Sequence, residues 1–226
     1  MYGVGGVRVC LDPGHGGADP GAVYHDIKEK DLALLLARQV AAALGGYNVE
    51  LIFTRRGDET VPLDRRVAAA NGRGADLFLS LHINAGGGTG FESYVAGLAG
   101  ERTVRYRDVI HREVAGFLAG RHVPDRGKKT RDFYVLRKTR MPAVLLECLF
   151  LDHPVDRALL LDRQFLGALA KAIAGGVARA LELGGDPCAE LRERLRQLEE
   201  EVARYRRALA AVRDAAAAAL QTGHNA

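Results

Sequence analysis

The sequence has few cysteines and no apolar run long enough to cross a bilayer. A membrane-spanning helix needs about 20 consecutive apolar residues, and no segment approaches that length, so membrane insertion is not expected. Cys10, Cys148 and Cys188 lie far apart without a CxxC pair, which excludes a disulfide framework and a thiolate zinc knuckle. Cys10 and Cys148 lie in apolar runs and are expected to be buried. The first residues lack the apolar stretch of an export signal, so no signal peptide is predicted.

A strong surplus of either charge is also missing. The 226 residues include 32 basic and 28 acidic side chains, a formal charge of +4, and the two signs are interspersed along the chain. This pattern argues against a nucleic-acid-binding protein, which usually gathers its basic residues into one patch. The hydrophobic fraction of 48% is enough for a buried core. We therefore expect a soluble, folded protein that does not bind nucleic acid.

Short apolar runs separated by helical patterns predict the fold class. Four runs have the length and composition of buried strands: VRVCL at 7–11, VELIF at 49–53, DLFLSLHI at 76–83 and AVLLECLF at 143–150. FESYV, after the loop at 86–90, reads as a further strand. Amphipathic segments lie between the runs. This alternation predicts an α/β sheet covered by helices on both faces.

Apolar residues at three- and four-residue steps predict the helices. The first helix places one apolar face on Leu32, Leu35, Leu36, Val40 and Ala43. Its end is predicted at Gly45 and Gly46, because glycine is common just beyond a helix. Further helices are expected at about 62–71, 101–119 and 164–183.

The composition changes beyond Pro187, where strands are absent and Arg and Glu are frequent. Apolar residues alternate at steps of four and three, as in a coiled-coil seam: Leu191, Leu195, Leu198, Val202, Tyr205, Leu209 and Val212. We predict a linker at 184–187, a coiled-coil helix at 188–214 and a flexible tail at 215–226. The charges that flank the seam favour a parallel homodimer through 191–212, because Glu201 would then face Arg206 of the other chain. The alternative is a helix that packs its apolar stripe on the core or on another protein.

Two histidines follow predicted strands. His15 stands in VCLDPGHGGADPG at 9–21, just after the first strand, and His82 ends the third apolar run in SLHINA. The carboxyl ends of parallel strands share one edge of a sheet, so the two imidazoles can converge where α/β sheets bind ligands. The alternatives are a surface histidine in an ordinary turn for His15 and a hydrogen-bonded strand-end histidine for His82.

Two glutamates complete the candidate site. A metal held by two imidazoles commonly takes a carboxylate as third protein ligand, and Glu29 lies 14 residues after His15 at the start of the first helix. Asp26 and Glu29 also fit the spacing of a capping box, which leaves a structural alternative open. Glu147 lies inside the apolar run AVLLECLF, where a buried carboxylate needs a compensating partner. A metal with its water would make Glu147 a general base; an arginine would make it a structural ion pair.

These residues lie in motifs that resemble the zinc-dependent N-acetylmuramoyl-L-alanine amidases, a family of bacterial cell-separation amidases and some phage endolysins. The matching segments occur in the family's order over about 7–183: LDPGHGGADPGA, EKDLALLLA, TRRGDETVPLDRRVAAAN, GADLFLSLHINA, FYVLRKTRMPAVLLE and FLDHP. The resemblance implies a catalytic domain at 1–183 with a mixed, mostly parallel six-stranded sheet flanked by helices. It also implies that His15, Glu29 and His82 hold Zn²⁺ and that Glu147 is the catalytic base. The implied reaction is hydrolysis of the amide between N-acetylmuramic acid and L-alanine, with peptidoglycan as substrate.

The chain departs from the family's pattern after Glu147. Leu149 stands where the family usually has glycine, and Asp152 and His153 replace serine and asparagine. We expect Leu149 to crowd the substrate groove. The loop GGGTG at 86–90 is either a flexible rim segment close to substrate or a plain linker to the next strand.

Two other functional classes stay open on the sequence. One is a zinc hydrolase of another amide, such as a carboxypeptidase or a deacetylase, and the other is a non-catalytic wall-binding scaffold. The chain is expected to be made in the cytoplasm and to act on the cell wall, either as a released phage lysin or as a mature exported enzyme.

Overall fold

The fold is built on a six-stranded sheet with helices on both faces. The computed structural model describes residues 6–184 and 197–210, and the chain divides into two units, Met1–Gly184 and Gly185–Ala226. The strands are β1 (Val7–Pro13), β2 (Val23–Tyr24), β3 (Ile27–Lys28), β4 (Val49–Phe53), β5 (Leu77–Asn84), β6 (Phe91–Val95), β7 (Asp125–Thr130) and β8 (Ala143–Phe150). The helices are α1 (Glu29–Leu44), α2 (Leu63–Gly72), α3 (Glu101–Ala119), α4 (Tyr134–Lys138), α5 (Pro154–Leu161) and α6 (Arg163–Ala180).

The sheet is mixed and mostly parallel, which confirms the expected architecture. Its strand order is β4-β1-β5-β8-β6-β7. The four strands from β4 to β8 run parallel to their neighbours. β6 runs antiparallel to β8, and β7 runs parallel to β6, so two strands are reversed. The carboxyl ends of β1, β5 and β8 therefore meet at one edge of the sheet.

Alternating side chains fill two hydrophobic layers, one on each face of the sheet. On β1, Val9 and Leu11 point into a core formed with α1, α3 and α6, while Cys10 points into a second core with α2 and α4. This division follows from the two-residue period of a strand. Cys10 and Cys148 are both buried, as expected.

The structure differs from the expected elements in a few places. α1 ends at Leu44 with Gly45 as its C-cap, as predicted, but Leu35 is 40% exposed and does not belong to the buried face. The segment DRGKKT forms the edge strand β7; charged residues are common on edge strands because they discourage pairing with another chain, and they leave no apolar alternation to detect. The short hairpin of β2 and β3 and the helices α4 and α5 were not predicted; each is too short for a periodic signal.

Residues 197–210 form a helix. Leu198, Val202, Tyr205 and Leu209 of the predicted seam are between 42% and 71% exposed on it. The rest of the predicted coiled coil, at 188–196 and 211–214, lies outside the described residues, as do most of the linker and the tail at 215–226. Within 6–184 and 197–210, no helix combines the length and apolarity needed to cross a bilayer.

Candidate metal centre and active site

Three side chains suited to binding a metal meet at the edge where β1 and β5 end. His15 follows β1, Glu29 is the first residue of α1, and His82 lies near the end of β5. Each offers one ligand atom, and these atoms all lie within 4.8 Å of one another. The centroids of the two imidazole rings are 5.0 Å apart and the rings are nearly perpendicular. The structure therefore brings together three of the four predicted site residues in a donor set that suits a divalent cation.

Glu29 lies between the two imidazoles. Its Oε2 is 3.1 Å from His15 Nε2, and its Oε1 is 2.9 Å from His82 Nδ1. Two backbone N–H groups also donate to this carboxylate, from Ala22 at 2.9 Å and from Ile83 at 3.1 Å. These contacts fix the buried carboxylate from two sides, so the acid is positioned before any ligand arrives.

The capping-box alternative for Glu29 is wrong. The N-cap of α1 is Lys28, and no side chain caps this helix end. The carboxylate of Glu29 instead points back to the loop after β1 and to β5. His82 is hydrogen-bonded near the end of its strand, as that alternative expects, but its Nδ1 partner is Glu29, the other predicted ligand.

Glycines allow the loop after β1 to approach the cluster closely. A Cβ at Gly14 would collide with the imidazole of His82. Gly21 has φ +64°, and a Cβ there would lie 2.5 Å from Glu29 Oε2. Both positions lack space for a Cβ, and Gly21 also has a backbone conformation that favours glycine.

Asp19 holds the outer side of the His15 ring. Its Oδ2 lies 2.8 Å from His15 Nδ1, and its Oδ1 accepts a hydrogen bond from the N–H of Gly21 at 3.0 Å. Burial by itself lowers the pKa of His15, but Glu29 and Asp19 raise it to about 9. Burial raises the pKa of Glu29, and hydrogen bonds from His15 and His82 outweigh that effect and hold it well below its usual range. The cluster stabilises its own charged forms.

Two buried arginines support the backbone that carries His15. Arg55 donates to the carbonyls of Pro13 at 3.0 Å and Gly14 at 2.8 Å. Arg66 donates to the carbonyls of Pro13 at 2.7 Å and His15 at 2.5 Å. Planar guanidinium groups with several donors suit such a task. Neither these arginines nor Asp19 were predicted as site residues. All three lie in the motifs that resemble the amidase family, and this was the only indication in the sequence that they support the site.

Glu147 lies on β8 beside His82. The two residues are partners in the parallel register of β5 and β8. Oε2 of Glu147 is buried and has no hydrogen-bond partner in the part of the chain that the structure describes. Burial raises the pKa of Glu147 to about 7, against the opposite effect of His82. The arginine alternative is wrong, because no ion pair joins Glu147 to an arginine within 6–184 and 197–210.

Two cavities open at this edge of the sheet. The first has a volume of about 240 Å³. It is lined by the two histidines and by residues 60–63, which lead into α2. The second has a volume of about 460 Å³ and lies on the side of β6 and β7. Its walls include Asn84, Glu92, Tyr94, Arg126, Lys129 and Phe150. A bound chain can therefore extend to either side of the cluster.

The first three residues of the loop at 86–90, all glycines, line the second cavity; the closeness of this rim to substrate stays a prediction. Asp152 accepts hydrogen bonds from the N–H groups of Gly86 at 2.9 Å and Gly87 at 2.7 Å. Asp156 accepts two more from the end of the loop, at 2.7 and 2.9 Å. The acidic residue that replaces serine at 152 therefore anchors this rim.

The other two departures from the family's pattern are structural. Leu149 does not crowd the groove as expected: its side chain is fully buried in the hydrophobic core. Its φ of +67° is the left-handed conformation that favours glycine. His153 is the N-cap of α5 and accepts a hydrogen bond from the N–H of Asp156.

Comparison with known proteins decides the family. A sequence model described as N-acetylmuramoyl-L-alanine amidase matches residues 9–179. The chain belongs to the N-acetylmuramoyl-L-alanine amidase family. The amidase is 44% identical over 185 residues to the amidase CwlM of Bacillus licheniformis, covering 81% of this chain and 72% of that protein. It is 42% identical to the endolysin of Bacillus phage SPP1, covering 77% of this chain and 66% of the endolysin.

Solved structures agree with this assignment. The catalytic domain of CwlV, an amidase of Bacillus (Paenibacillus) polymyxa var. colistinus, has a TM-score of 0.74 at 32% identity and covers 79% of this chain and 99% of that domain. An amidase of Clostridium difficile 630 has the same TM-score at 31% identity, covering 78% and 97%. The chain is thus a hydrolase that cleaves the amide between N-acetylmuramic acid and L-alanine, and its substrate is the peptidoglycan of the cell wall.

Proposed function

We propose that the amidase is zinc-dependent, that His15, Glu29 and His82 hold the Zn²⁺ and that Glu147 is the general base. The observation that carries this proposal is the convergence of the three ligand atoms within 4.8 Å. Two imidazoles and one carboxylate form the set that catalytic zinc sites use when a further position stays open for water or substrate; the imidazoles lose their extra protons when a metal binds. The partnerless Oε2 of Glu147 supports the same assignment, because a buried carboxylate oxygen without a hydrogen bond is costly unless a ligand meets it.

Zn²⁺, when bound, would act as a Lewis acid that makes water more acidic and polarises the scissile carbonyl. Glu147 takes a proton from water as the water oxygen bonds to the carbonyl carbon. It then returns the proton to the nitrogen of L-alanine as the carbon–nitrogen bond breaks. The products are a lactyl carboxylate on the muramic acid and a new L-alanine amino terminus. Burial raises the pKa of Glu147, which favours a carboxyl group that can both accept and donate this proton.

Asp19 and the two arginines position the first histidine. A carboxylate on Nδ1 fixes the ring and leaves Nε2 turned towards Glu29, which is the arrangement that commonly orients metal-bound histidines. Arg55 and Arg66 donate hydrogen bonds to the backbone carbonyls of residues 13–15, at the start of the loop. These hydrogen bonds go to the His15 ring and to the backbone of the loop, so the role we propose for the three residues is orientation.

Digestion of purified cell walls tests the proposed site. The zinc-loaded wild type should release new L-alanine amino termini, and Glu147→Gln should lose at least about 10³-fold in rate while it keeps its zinc, because it removes the base and leaves the ligands. Free acetate would identify a deacetylase, and free terminal amino acids would identify a carboxypeptidase. Full activity of Glu147→Gln would contradict the assigned base. A wild type that releases no product would support the non-catalytic wall-binding scaffold instead.

We propose that residues 1–183 form the catalytic domain and that the helix at 188–214 joins two copies in a parallel coiled coil. The exposed stripe on residues 197–210 supports this, since Leu198, Val202, Tyr205 and Leu209 present an apolar face. Sedimentation of the full chain should report a dimer, and Val202→Glu should give a monomer. Arg207→Glu, outside the seam, should remain dimeric. A monomeric wild type would contradict the proposal.

We propose a released phage lysin as the biological setting, on the similarity to a phage endolysin; the bacterial amidases among the relatives make an exported enzyme the alternative. Expression of the chain inside bacteria should then leave the cells intact until the membrane is opened with chloroform, after which the culture should clear. Clearing without chloroform would indicate an exported enzyme instead.

A further inference from the structure

A row of charged side chains crosses the sheet from the metal centre towards its edge. His82 on β5 pairs in register with Glu147 on β8, and Glu147 pairs with Glu92 on β6. Residues paired in register point to the same face of a sheet. β7 is the neighbour of β6 and the last strand of the sheet, and two of its cations reach Glu92. His82 and Glu147 belong to the proposed active site, whereas Glu92 and the cations around it have no role in the proposed reaction.

The outer part of the row carries one more positive than negative charge. Arg126 Nε and Lys129 Nζ both contact Oε1 of Glu92, the lysine at 2.9 Å. The hydroxyl of Tyr94 donates to Oε2 of the same carboxylate. Glu92 is almost fully buried, at 2% exposure. Two cations on one carboxylate leave a net positive charge beside the cavity, which favours an anionic ligand.

The two cations face the second cavity and are held in place. Their side chains are 38% and 37% exposed, and both line the 460 Å³ cavity together with the loop at 86–90. The Arg126 guanidinium stacks over the ring of Phe150 at 4.9 Å. Its two Nη groups make no hydrogen bond to the residues that the structure describes. A planar group with two free donors can bind a carboxylate through both of its oxygens.

The third cation of β7 shows a different arrangement. Lys128 pairs with Asp108 at 3.2 Å, and alternation puts it on the face opposite to that of its neighbour Lys129. Arg126 reaches the Lys129 side across the register irregularity of β6 and β7. Lys128 therefore has a carboxylate of its own, whereas Arg126 and Lys129 share one. A merely structural neutralisation of Glu92 needs only one cation.

The distance from the reaction centre matches a short stretch of peptide. Strands in a sheet are about 4.8 Å apart, so β7 lies roughly 10 Å from β8 and Glu147. An extended chain advances about 3.3 Å per residue. An anionic group at Arg126 and Lys129 would thus lie about two to three residues beyond the amide at Glu147.

We propose that Arg126 and Lys129 form a specificity subsite that binds a free carboxylate of the stem peptide, on the second or third residue after the cleaved amide. This inference rests on the proposed function, since it takes Glu147 as the position of the scissile bond. The subsite orients the peptide across β8, β6 and β7. The glycan part of the substrate would then lie in the first cavity, between His15 and residues 60–63 before α2.

A matched pair of soluble substrates tests the subsite. One is a muramyl tripeptide with free carboxylates, and the other is the same molecule with every carboxylate converted to a carboxamide. Wild type should prefer the acid form by about tenfold or more in kcat/KM, the range of a charge-assisted hydrogen bond. Arg126→Gln and Lys129→Met should each lose most of that preference, because their kcat/KM should fall more on the acid form than on the amide form. Lys128→Met is the control and should retain the wild-type preference.

The outcomes separate the subsite from the proposed function. Equal kcat/KM on both forms in the wild type, or equal losses on both forms in Arg126→Gln, would overturn the subsite and leave the zinc amidase in place. Calorimetric binding of the acid form to Glu147→Gln gives a readout without turnover. Tighter binding of the acid form that disappears on Arg126→Gln would support the subsite even if the assignment of Glu147 failed.

Discussion

Among the described residues, one network of histidine and carboxylate at the sheet edge is open to a ligand, whereas another, around His111, is closed. His15, Glu29 and His82 meet at the sheet edge beside a cavity. The other network lies between β6, α3 and β7, where Ser93 Oγ is 2.7 Å from His111 Nδ1 and Asp125 Oδ1 is 2.9 Å from His111 Nε2. By composition, the second resembles a catalytic triad of serine, histidine and aspartate.

Accessibility and hydrogen-bond saturation distinguish the two. Ser93 is fully buried and His111 is 4% exposed, and both ring nitrogens of His111 are engaged. No substrate carbonyl can reach that hydroxyl. At the open network, glycine backbone clears the approach, and Glu147 beside it keeps a partnerless oxygen. Residue types alone therefore do not make a site, because the same donors and acceptors can also connect three elements of the fold.

The largest expected difference between the networks is in metal binding. Glu29→Gln should remove tightly bound zinc and reduce hydrolysis by roughly 10³-fold or more, since it removes the anionic ligand and with it several kcal/mol of metal assistance. Asp125→Asn makes the same chemical change in the closed network and should leave both zinc content and rate unchanged. Zinc per chain, measured after dialysis, and turnover of a muramyl peptide check both variants. Retained zinc in Glu29→Gln would contradict the ligand assignment.

A smaller effect is expected from the support of the open network. Asp19→Asn should weaken zinc binding by about 10- to 100-fold, the usual range when the carboxylate partner of a metal-bound histidine is lost. The fold should be unaffected because the Asp19 side chain is 61% exposed. Competition with a chromophoric chelator measures the affinity.

Asp58→Asn is the control for Asp19. Asp58 supports the same loop through the N–H of Gly17 at 2.7 Å and the ammonium of Lys30 at 2.7 Å, but it does not touch a histidine. An equal loss of zinc affinity in both variants would mean that Asp19 acts on the loop and not on the His15 ring.

Much of the open network could be predicted from the sequence. Two apolar runs that end in histidine place both imidazoles at the same edge of a parallel sheet, and a glutamate in an apolar run demands a partner. Asp26 gave a competing explanation of Glu29 that only the direction of the side chain could resolve. The resemblance to a family added the six-stranded sheet and the roles of the residues.

The rest depends on tertiary register. The segment DRGKKT has no apolar period, so neither β7 nor the convergence of Arg126 and Lys129 on Glu92 is visible before the strands are paired. His111 had no sequence neighbour that suggested a partner, because Ser93 and Asp125 lie 18 and 14 residues away. Edge strands and polar networks between distant elements carry little local signal.

The closed network should matter for stability rather than catalysis. His111→Gln should lower the free energy of unfolding by about 1–3 kcal/mol, because it disturbs the buried hydrogen bond to Ser93 of β6 and the partly buried one to Asp125 of β7. Zinc affinity and turnover of the folded variant should equal those of the wild type. Urea denaturation at pH 8 measures the change. A loss of activity without a loss of stability would indicate that this network is catalytic after all.

The smallest expected effect is a dependence of that stability on pH. Burial lowers the pKa of His111, with help from Lys128 and Arg107, and outweighs the opposite effect of Asp125. The folded protein therefore binds this proton less readily than the unfolded chain, whose histidine titrates near pH 6.5. The stabilising contribution of His111 is present above pH 6.5 and is lost as the pH falls. The difference in unfolding free energy between wild type and His111→Gln should shrink from pH 8 to pH 5, and a difference that grows in acid would show that Asp125 dominates instead.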